Sequence, residues 1–69
     1  MNIQTIRDNL KNTIAGKEKY QEELAIAAQT AVFPETTAID AMVMMLDVNL
    51  EELKRILQDV EQCIEKVEV

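Results

Sequence analysis

The segment IDAMVMMLDVNLEELKRILQDVEQCIEKV, residues 39–67, carries apolar side chains at Ile39, Val43, Leu46, Leu50, Leu53, Leu57, Val60, Ile64 and Val67. The steps alternate between four and three, a mean of about 3.5 residues, which keeps one ridge of an α-helix turned towards a neighbouring helix. These nine positions are the expected seam, both within the chain and between copies of it. Asp47-Val48-Asn49 interrupts the pattern in composition: Asn49 could cap a new helix, with Glu52 three residues on. The phase of the seam nevertheless passes through this point unbroken. The expectation is therefore one helix over about 37–67, with a kink or break at 47–49 as the alternative.

Phe33-Pro34-Glu35-Thr36-Thr37, just ahead of this segment, is the strongest punctuation in the chain. Proline disfavours helical geometry in the residue before it and cannot donate a backbone hydrogen bond. Thr37 can then cap the second helix, with Asp40 in the capping-box position. On the other side, a weaker stripe of Ile3, Ile6, Leu10, Ile14, Lys17, Tyr20, Leu24, Ala27 or Ala28, and Ala31 predicts a first helix over about 2–32. Gly16 costs such a helix about 1 kcal/mol relative to Ala, and marks a bend, a close approach of another backbone or a tolerated surface position. The small residues Ala25, Ala27, Ala28 and Ala31 would meet the bulky Met42, Met44 and Met45 if the chain folds back at a turn over 33–36.

The fold class that follows is all-α, a single helical-hairpin domain over 1–69. A hairpin with helices of about 29 residues is a rod of roughly 44 Å, and a rod exposes apolar surface unless another covers it. A core of this size supplies only about 3–5 kcal/mol. Cys63 is the one cysteine and histidine is absent, so neither an internal disulfide nor a cysteine/histidine zinc site is available. Self-association into a homodimeric four-helix bundle is the expected source of further stability.

Charge divides the chain. Residues 1–33 balance Arg7, Lys11, Lys17 and Lys19 against Asp8, Glu18, Glu22 and Glu23. The formal net charge of −6 therefore belongs to the second half, where nine acidic residues meet Lys54, Arg55 and Lys66. A polyanion such as nucleic acid repels this balance, since binding to it rests on neutralisation of phosphates by Lys and Arg. A basic protein surface is the better match. No run approaches the roughly 18 apolar residues of a membrane span, and the N-terminus lacks a secretory leader pattern. The lone cysteine fits a reducing compartment, so the cytoplasm, or that of a host if the protein is viral, is the expected location.

Chemistry is excluded largely by residue type. With neither Ser nor His, no conventional triad can be assembled. The single Gly rules out a phosphate-cradling glycine loop. Glu22-Glu23 and Glu51-Glu52 are the densest carboxylate pairs, but adjacent helical residues point about 100° apart. The Glu-x-x-His motifs of helical-bundle metal sites are also missing. No enzyme, cofactor or metal function is expected.

What remains is surface. Residues 41–46 are apolar almost all round a helix, and the flexible methionines Met42, Met44 and Met45 suit an irregular partner. Glu51, Glu52, Asp59 and Glu61 would steer that partner electrostatically. The expected function is that of a small acidic protein-binding module: an adaptor, inhibitor or assembly factor of the phage- or plasmid-regulator type. A structural or chaperone-like coiled-coil component is the alternative, and a nucleic-acid-binding hairpin the weaker one.

Overall fold

The computed structural model describes residues 2–68, and the side chains of residues 2–66. Two helices, α1 (Ile3–Ala28) and α2 (Glu35–Glu68), pack side by side as an antiparallel hairpin. The principal extents are 54 × 16 × 15 Å and the radius of gyration is 15.9 Å. A compact chain of this length would have a radius of gyration of about 11 Å, so the molecule is a rod two helices wide.

α1 starts at Asn2, whose side-chain oxygen accepts from the Thr5 backbone N–H at 2.8 Å and from the Thr5 hydroxyl at 3.0 Å. This satisfies one of the amide donors that every helix start leaves free. The helix ends at Ala28, four residues short of the expected limit. Turn hydrogen bonds from Gln29, Thr30 and Ala31 back to Ile26 and Ala27 then close it off. The alanines around this end add little side-chain burial to hold further turns in place.

The second helix begins at Glu35, with Thr37 inside it and not at its cap. Pro34 takes the opening role through its carbonyl, which accepts from Ala38 N at 3.3 Å. Glu35 lies in the first turn, where its negative charge complements the positive helix end. From there the helix runs 34 residues without interruption, so no restart separates Asp47 from Leu50.

The seam explains this continuity. Ile39, Val43, Leu46, Leu53, Leu57 and Val60 are partly buried, while Leu50 and Ile64 are buried. The side chain of Val67, the ninth position, lies outside the described residues. Breaking the helix at Asn49 would put Leu46 and Leu50 out of phase and expose one of them. Continuity is the arrangement that keeps every described seam residue against α1.

In α1 the inward stripe differs from the expected one at two places. Ile6 and Tyr20 stand on the flank, 40% and 45% exposed, while Arg7 and Gln21 turn inward. The residues least accessible to solvent are Ile3, Arg7, Leu10, Ile14, Lys17, Gln21, Leu24, Ala28 and Ala31, with Ile14 the most buried. These also step by four and three. Phase matching to α2 has overridden the hydrophobicity of individual residues. The polar intruders manage this in different ways: Gln21 donates to the Val43 carbonyl at 3.2 Å and to the Asp47 carboxylate. Long basic side chains such as those of Arg7 and Lys17 can pack their stems and keep their charges wet.

At the tip, Met44 and Met45 do not pack against the small residues as expected. Met44 and Met45 point away from α1 and are largely exposed, whereas Ala28 and Ala31 share the interior with Ile39 and Val43. Off the seam, these methionines line an open groove and stay largely uncovered by α1.

A Cβ added at Gly16 would meet nothing within 4 Å. Neither a bend nor a close backbone approach within the hairpin requires this glycine. Gly16→Ala is expected to stabilise the protein by about 1 kcal/mol through helix propensity alone. A thermal melt should therefore shift upward by about 4–8 °C; an unchanged or lowered midpoint would show that the position is constrained from outside the hairpin.

Candidate interaction surface

The two flanks of the hairpin differ sharply. On α2, the residues immediately before Val43, Leu50, Leu57 and Ile64 are Met42, Asn49, Ile56 and Cys63. On α1, those before Arg7, Ile14, Gln21 and Ala28 are Ile6, Thr13, Tyr20 and Ala27. Because the helices are antiparallel, both sets lie on the same side of the seam. Tyr20, Met42 and Asn49 indeed line one groove together. Not one of these eight side chains carries a formal charge.

The opposite flank holds the residues that follow the other half of each seam. These are Gln4, Lys11, Glu18 and Ala25 on α1, and Asp40, Asp47, Lys54 and Glu61 on α2. Six of these eight are charged, and the two helices are tied there by Lys54 Nζ to Glu18 Oε2 at 3.6 Å. Both partners of this ion pair are about half exposed, so its contribution falls within the 0–1 kcal/mol usual for surface pairs. Its value here is geometric. Together with Gln21 bridging to Asp47, it marks this side as the solvated one.

The groove on the uncharged side has a volume of about 720 Å³ and is walled by Met42, Met45, Leu46 and Asn49 from α2 and by Lys17 and Tyr20 from α1. Asn49 is partly buried, and its Oδ1 atom is shielded from solvent without any hydrogen-bond partner among the described residues. An unpaired buried acceptor costs on the order of 1–3 kcal/mol. Met44 and Val48 line the groove as well, and they are strongly exposed, as are Val32 and Phe33 at the turn.

The acidic residues expected to act together are all exposed but do not form one patch. Glu52 borders the methionine groove. Asp59, two helical turns further on, shares its stripe, whereas Glu51 lies on the outer ridge with Met44. Glu61 falls on the charged flank and joins Lys54, Gln58, Gln62 and Glu65 around a shallow polar hollow of about 390 Å³. A period of seven separates positions that a simple count of acidic residues merges.

Among the described residues, no group of three His, Cys, Asp or Glu side chains is arranged to hold a metal ion, and no helix is long and apolar enough to cross a membrane. Cys63 is exposed. No protein family, curated protein or solved structure matches this chain.

Proposed function

We propose that this chain is a small protein-binding module that acts by docking helix against helix, as an adaptor, inhibitor or assembly factor, and that it works as a homodimer in the cytoplasm. The observation that carries this reading is the apolar surface left outside the hairpin. The exposed Met42, Met44, Met45, Val48 and Ile56 lie on the same helix whose seam is already committed to α1. Contiguous exposed apolar patches mark protein–protein interaction sites. Methionine side chains suit them because they adapt to uneven partners.

The negative charge of α2 supplies steering towards a partner with a basic surface. Oppositely charged surfaces raise association rates and lose that advantage as salt screens them. The work assigned to this surface is recognition.

The test is capture of partners from source cells on the immobilised protein, with and without charge neutralisation. Changing Glu51, Glu52 and Glu61 to Gln and Asp59 to Asn should weaken capture several-fold and flatten its salt dependence. If the neutralised protein captures the same partners at the same salt, electrostatic steering by α2 is wrong. If it captures only other structural proteins, the coiled-coil component is the better description.

A further inference from the structure

We infer that the uncharged flank of the hairpin is the surface on which a second copy of this chain docks, with Asn49 inside the interface. The inference deepens the homodimer proposed above and rests on that reading, but it assigns the face and the residues.

Area is the first argument. The accessible surface is 5335 Å². A folded monomer of 7.9 kDa is expected to expose about 4,400 Å², so each chain shows about 900 Å² more than a globular protein of its mass. A standard interface buries about 800 Å² per partner. The excess is thus the amount that one additional docked rod would cover.

Shape and periodicity name the occupant. The uncharged positions recur every seven residues along both helices, so the flank runs the length of the rod. A covering element must match that length and that period. A second hairpin does so by construction, whereas a short peptide would cover one part of it. Dimers with twofold symmetry need a self-complementary patch, and two features provide it. The groove holds Lys17 and Glu52, opposite in sign, so each can face the other's counterpart. Asn49 lines the same groove and is only partly buried, and a carboxamide, which both donates and accepts, can face its own copy. A polar residue so placed also sets the register of helices that would otherwise slide. The charged flank offers no comparable surface, because docking there would strip water from six ionised groups.

The experiment is the mass of the full-length protein by light scattering and sedimentation across a range of concentrations. Wild type should have twice the 7.9 kDa chain mass. Ile56→Glu and, independently, Asn49→Asp should raise the dimer dissociation constant at least a hundredfold. Arg55→Glu, at an exposed position of α2 outside the groove, should leave it within a few-fold of wild type. Ile56 is half exposed in the hairpin and Glu is a good helix former, so helicity by circular dichroism should survive in that variant and separate dissociation from unfolding. A wild-type monomer at every concentration overturns the inference. So does a dimer that withstands both flank substitutions, or one that Arg55→Glu dissociates instead. Each of these three failures leaves protein binding as such standing, since partner capture and its salt dependence are measured separately, and the last two leave the homodimer standing as well. Loss of capture in the neutralised protein with the dimer intact would leave this interface standing.

Discussion

Leu50→Ala should unfold most of the protein. Leu50 is 5% exposed at the middle of α2, and removing a buried leucine side chain costs about 2–5 kcal/mol through lost burial and the cavity left behind. A chain of this length draws only about 3–5 kcal/mol from its own core, so the loss is comparable with the whole. The better helix propensity of Ala offsets only tenths of a kcal/mol. Thermal melts followed by circular dichroism should show the variant with its midpoint lowered by ten degrees or more, or with no cooperative transition. A shift of a degree or two would mean that Leu50 is not core. Leu53 and Leu57 are only partly buried, and their replacement by Ala should fall near the lower end of the same range, about 2 kcal/mol. Since association of copies stabilises the folded form by mass action, all of these melts must be compared at one protein concentration.

Val48→Pro should be nearly as damaging, for a different reason. The Val48 side chain is exposed and lies off the seam, so no packing is lost when it is changed. The effect would come from the backbone: a proline inside a helix removes one hydrogen bond and clashes with the preceding turn, at about 3 kcal/mol or more. Had α2 been two helices restarting at Asn49, a proline just before the restart would cost little. A retained melting midpoint in Val48→Pro would therefore contradict the continuous helix. A large loss would agree with a helix that runs unbroken from Glu35 to Glu68.

These two substitutions probe features of unequal visibility. The seam of α2 stands out in the amino-acid order because its positions are filled by Leu, Ile and Val without exception. Continuity through Asn49 follows from the same phase, and there phase outweighed the capping signal of a single residue. The turn was visible from Pro34, though the helix starts at Glu35 and not beyond Thr37, because the proline carbonyl can open a helix even though its nitrogen cannot donate. The α1 stripe misled at Ile6 and Tyr20. Hydrophobicity pointed to them, whereas packing selected their neighbours Arg7 and Gln21.

A chain read in one dimension thus discloses the class of fold, two long helices and the ridge that joins them, since a period of 3.5 is a local property of consecutive residues. The phase of α1, the inward Gln21, the stranded Asn49 oxygen and the contrast between a charged and an uncharged flank belong to the packed molecule alone. Each depends on which side of one helix lies beside which side of the other, and the antiparallel contact sets that relation between residues far apart in the chain.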